Sequence, residues 1–221
     1  MFHWLLGDKQ GLARIFQQFG QMLEDGRHIF DAASNTFLGG ADPATVRDDL
    51  YATDRRINAV EQKIRREIVV HVTVSDRAEF PICLKLMSLV KDAERIGDYA
   101  KNIFELGIHV RDFANEPMRA DLIQIKDQVS RMLAKMRNLH ESQDEAQART
   151  FCEEGEAILR MCDEKVGELV TNAHPDSVHP VATALMYRYV KRVTAHSLNI
   201  VSSIFVPVDK LDYFDEDPDA I

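Results

Sequence analysis

Apolar residues recur every three or four positions along most of the chain, and few folds accept that spacing. The clearest series is Leu86, Leu89, Ala93, Ile96, Ala100, Ile103 and Gly107, which never breaks step. Residues so spaced line one face of an α-helix and need a partner to cover them. An earlier seam runs Leu12, Phe16, Phe19, Leu23, Gly26, Phe30, Ala33, Phe37 and closes at Leu38-Gly39-Gly40, a glycine stop. Asp42-Pro43 then reads as an N-cap followed by proline at the first helical position. The second helix carries Val46, Leu50, Ile57, Val60 and Ile64, interrupted only at Thr53, and is expected to end near His71. The β-branched run Ile68–Val74 has strand propensity but no second strand to pair with, so it reads as a frayed helix end and connector.

Three more seams follow. Met118, Leu122, Ile125, Val129, Met132, Met136 and Leu139 mark a fourth helix; its methionines read as packing residues. Phe151, Gly155, Ile158, Cys162, Val166 and Leu169 mark a fifth, starting near Glu145. His179-Pro180 opens a sixth, which ends before Pro207. The fold class is therefore all-α: six long antiparallel helices in two pseudo-repeated three-helix bundles, residues 1–115 and 116–208, with a loosely held acidic tail at 209–221. A shift of 97 places the third helix on the sixth in phase, with Asn102 on Asn199 and Ile103 on Ile200. A shift of 109 places the second on the fifth, with Asp54 on Asp163 and Ile57 on Val166.

Composition narrows the function. A formal net charge of -9 over 221 residues disfavours nucleic acid and anionic lipid as main partners. Cys83, Cys152 and Cys162 form no CxxC pair, which points to reduced, buried thiols and a cytoplasmic setting. No apolar run is long enough for a membrane span, and the opening MFHWLLGDKQ lacks a basic leader and a cleavage site. Its Phe2, Trp4, Leu5 and Leu6 are expected to dock on the protein's own helices or on a partner. Nucleophile elbows, phosphate-cradling glycine loops and H-E-x-x-H are all missing, so enzymatic activity has no support.

Beside the third seam stands a polar ladder, Glu94, Asp98 and Asn102, at steps of four. Two carboxylates at that spacing repel by roughly 0.2–0.5 kcal/mol. The second helix carries a comparable ladder, Asp54, Asn58 and Glu61. If the two helices are antiparallel neighbours, their oxygens form a donor set suited to Mg, Mn or Fe, or with a histidine to Zn. Against this stands an ordinary solvated face on which Arg95 and Lys101 pair with the acids. The eight histidines are scattered and E-x-x-H pairs are lacking, which argues against a di-iron enzyme. His196 stands out because it adjoins the repeat equivalent of Asp98.

The stretch E-R-I-G-D-Y-A-K-N-I, Glu94–Ile103, resembles the hallmark of PhoU proteins, and D-R-R-I-N-A-V-E from Asp54 resembles that family's other acidic helix. Length, six helices and the internal repeat fit across the chain, the motifs being specific in the first half and faint in the second. The resemblance implies side-by-side three-helix bundles with acidic motifs that hold iron, zinc or other divalent or trivalent metal. It also implies regulation of phosphate uptake and signalling, through binding of a membrane transporter component or a sensor histidine kinase. Such a protein is cytoplasmic or peripheral to the inner membrane; homodimerisation stays open. Glu94, Asp98, Asp54 and Glu61 match the metal motifs, while Asn58 stands where the family usually has Asp, and Asn102 completes the set. In the second half Lys191 and Ala195 replace the two motif acids, so no cluster is expected there. The alternatives are an accessory protein of another anion permease, and a metal-binding bundle with no transport role.

Overall fold

The computed structural model describes residues 9–74, 77–110, 112–171 and 174–212. Six helices account for most of them: α1 (Lys9–Gly39), α2 (Pro43–Val74), α3 (Phe80–His109), α4 (Arg119–Ser142), α5 (Glu145–Val170) and α6 (Pro180–Ser202). No strand occurs among the described residues. The Phe2/Trp4 patch and the last nine residues of the acidic tail lie outside them.

The predicted start and stop signals operate as chemistry requires. Gly40 adopts φ 71° just past α1, a conformation glycine enters without strain. Asp42 caps α2 by accepting the Ala44 N–H at 2.9 Å. The β-branched run differs from expectation: α2 continues helically to Val74 instead of ending near His71. Ile68 and His71 turn inward while Val69, Val70 and Val74 face out, and the His71 imidazole lies 2.6 Å from Glu79 ahead of α3. Packing on one face outweighs strand propensity. Thr53 is no interruption either: it is buried in the seam and accepts a hydrogen bond from Arg56.

The first three helices pack pairwise against one another; in the second half α6 packs on α5 and α4, while α4 touches α1 more than α5. Helix α3 is the shared member, lying against α1, α2 and α6. Its small residues permit this: a Cβ on Gly97 would approach Ile57 at 3.2 Å and Ile29 at 3.4 Å. Across α1 and α4, Arg137 is held between Glu24 (2.6 Å) and Glu141 (2.7 Å), and His140 packs against Phe16 and Phe19 with ring centroids 5.4 and 4.8 Å away.

Two tests follow from this packing. A Cβ on Gly155 would sit 2.4 Å from Leu198, whereas one on Gly167 meets nothing within 4 Å. Gly155→Ala should lose about 1–3 kcal/mol in denaturant unfolding, and Gly167→Ala should gain about 0.5–1 kcal/mol by suiting the helix better. Burial also lowers the His140 pKa from 6.5 to about 4. The unfolded chain takes up this proton first. Stability from keeping the ring neutral is therefore complete above pH 6.5 and is lost as pH falls toward 4, by roughly 3 kcal/mol. Urea melts of His140→Phe should show a flatter slope than wild type across that window.

Candidate functional site

The acidic ladders meet on the face formed by α2 and α3. Asp54, Glu61 and Glu94 are buried; Asp98, Asn58 and Asn102 are half-buried. The fold thus places all six expected residues on neighbouring helices. It does not draw them around one point: no group of three or more His, Cys, Asp or Glu able to share an ion forms among the described residues.

Basic side chains take the carboxylates instead. The Lys91 ammonium donates to Glu94 at 2.7 Å. Arg95 donates to Asp98 at 3.3 Å. Lys101 reaches across to both oxygens of Asp54 at 3.3 Å and to Asp98 at 3.5 Å. Arg65 stands 3.0 Å from Glu61 in an ion pair. Four acids thus face four bases; Arg95 and Lys101 pair with the acids as the alternative reading expected, but three of the four carboxylates are buried rather than on a solvated face. Burial alone lowers the Lys101 pKa, but Asp54 and Asp98 together outweigh it, and the net shift is upward. The ligand set expected for a metal is therefore occupied by ammonium and guanidinium groups, and as arranged it does not fit a metal ion.

A second polar constellation lies in the seam between α3 and α6, and the sequence pointed to only one member of it. Asp92, 7% exposed, accepts from His196 at 2.8 Å and from Asn199 at 3.0 Å. Arg192 stands 3.2 Å from His196 Nε2 and donates to the Tyr99 hydroxyl at 3.2 Å. A guanidinium has no acceptor, so Nε2 carries the lone pair and Nδ1 carries the proton given to Asp92. Tyr99 stacks on the imidazole with centroids 5.7 Å apart. The ends of α6 are secured as well, by Lys85 of α3 and by Glu116 in the connector before α4. Lys85 donates to the Ser203 and Val206 carbonyls at 2.7 and 2.9 Å, and burial lowers its pKa. Glu116 accepts the N–H groups of Val178 and His179 at 3.0 and 2.9 Å, which suits a carboxylate at a helix N-terminus.

His196 was visible in the sequence beside the repeat equivalent of Asp98. Asp92 was not, because the repeat maps it onto Tyr189, a residue of different chemistry. Likewise nothing local marked Lys85 or Glu116, whose partners lie 62 to 121 positions away.

With this geometry established, known proteins can be compared. The family model described as the PhoU domain matches residues 19–107, from within α1 nearly to the end of α3. The crystal structure of PhoU from Pseudomonas aeruginosa is 20% identical, with 88% of this chain and 95% of that chain covered and a TM-score of 0.79. The phosphate transport system regulatory protein PhoU from Streptococcus pneumoniae is 18% identical, with 87% and 92% covered and a TM-score of 0.72. No curated protein sequence gives a match. Residues 19–107 are thus similar to the PhoU domain, and the fold is like that of the PhoU structures over most of the chain.

The seam makes a direct prediction. Asp92→Ala strands the buried His196 donor and the half-buried Asn199 donor and should lower stability by about 3 kcal/mol, with His196→Ala smaller. A double-mutant cycle of the two in urea should give roughly 1–3 kcal/mol of coupling. Additive losses would mean that the contact carries no energy.

Proposed function

We propose that this protein regulates inorganic phosphate uptake and phosphate signalling by binding a membrane transporter component or a sensor histidine kinase. The observation that carries this reading is the PhoU domain match on residues 19–107. Support comes from the full-length likeness to two PhoU structures, one described as a phosphate transport system regulatory protein.

The physical character of the surface agrees with an adaptor. None of the helices among the described residues is long and apolar enough to cross a membrane, so contact with a transporter runs through surface recognition. A net charge of -9 suits a basic protein partner better than a lipid or nucleic acid surface. No catalytic step is assigned: the three cysteines are buried, and burial raises the pKa of Cys152 and Cys162 to about 12, far from a reactive thiolate. A cytoplasmic location, at or near the inner membrane, belongs to the same proposal.

The test is genetic. Deleting the gene in the source organism should switch on a phosphate-starvation reporter in phosphate-replete medium, and the plasmid-borne wild-type chain should switch it off again. A reporter that stays off in the deletion strain would refute the reading. Loss of control over a different anion's uptake would favour the permease-accessory alternative.

A further inference from the structure

The repeat and the ion pairs together show a device that recurs in both halves. Asp54 on α2 and Asp163 on α5 occupy equivalent positions under the shift of 109. Each is met by a lysine from the facing helix: Lys101 at 3.3 Å from Asp54, and Lys191 at 2.5 Å from Asp163. The two lysines are not repeat equivalents. Lys191 falls on Glu94, and Lys101 falls on Leu198. The recurring element is thus the pairing of the aspartate with an ammonium, reached from different rungs of the partner helix.

We infer that Lys101 and Lys191 are built-in cations that hold α2 to α3 and α5 to α6, so that this chain balances its acidic helix faces without a bound metal. On the first-half face the four carboxylates Asp54, Glu61, Glu94 and Asp98 are matched by Arg65, Lys91, Arg95 and Lys101, leaving no net charge for a cation to neutralise. A divalent ion placed there would have to displace Lys101 and would then stand among the remaining basic groups. In the second half Lys191 itself replaces a motif acid, so the ammonium arrives by substitution of a would-be ligand.

The inference is independent of the regulatory reading, because its test needs only purified full-length protein. Wild type, Lys101→Met, Lys101→Arg and the double variant Lys101→Met/Asp54→Asn are dialysed against Mn²⁺, then examined by elemental analysis and thermal melting. Wild type should retain well below one equivalent of Mn²⁺ per chain and show no Mn²⁺-induced shift. Lys101→Met should melt about 2–4 °C lower, recover with Mn²⁺, and hold the ion. Lys101→Arg should behave as wild type, and the double variant should not respond to Mn²⁺. Should Lys101→Met fail to fold, Lys191→Met, at a more exposed pair, is expected to show the same loss on a smaller scale. Two results would overturn the inference: wild type holding a full equivalent that Asp98→Asn removes, or Lys101→Met melting with wild type.

Discussion

A carboxylate buried between helices cannot be left alone, and Asp92 is such a group. Its oxygen holds His196 and Asn199 of α6, and leaving a buried carboxylate without its hydrogen-bond donors costs several kcal/mol because the charge stays desolvated. This contact sets the register of α6 against α3. From there the remaining links fall into place: along the seam Lys85 on the carbonyls at one end of α6 and Arg192 on Tyr99 toward the middle, and beyond it Glu116, in the connector before α4, on the amides at the other end. Because α3 also packs on α1 and α2, one helix carries the cores of both halves. Helix α6 is consequently joined to α3 by specific hydrogen bonds as well as by apolar burial.

The fold was legible because helix periodicity is a local signal. Stepping by three and four located the six α-helices of the described residues, and Gly39-Gly40 and Asp42-Pro43 marked a boundary to the residue. The strand-like Ile68–Val74 misled slightly, since its β-branched residues serve a helix whose inner face is set by Ile68 and His71. The site was half legible. Spacing found the acids on α2 and α3 and named Arg95 and Lys101 as their alternative partners, but spacing cannot report which cation reaches which carboxylate. Asp92 was invisible for a different reason: its meaning depends on residues more than a hundred positions away, brought near only by the antiparallel packing of α3 and α6.

The acids at Glu94 and Asp98 raise the question of why a helix tolerates two carboxylates one turn apart. Lys91 and Arg95 sit on the same helix at three-residue spacing from them, and Lys101 adds a further ammonium. Pairs at this spacing offset the repulsion locally. The PhoU-like motif is thus retained in sequence while its charges are answered from within the chain.

The central claim is that internal ionic and hydrogen-bonded links join the two halves into one cooperative body. Amide hydrogen exchange followed residue by residue, with and without a strong chelator, tests it most directly. The account predicts that the core amides of α3 and α6 exchange together, through one global opening, at rates the chelator does not change. Faster opening of α6 than of α3, or loss of protection in α2 and α3 on chelation, would contradict it.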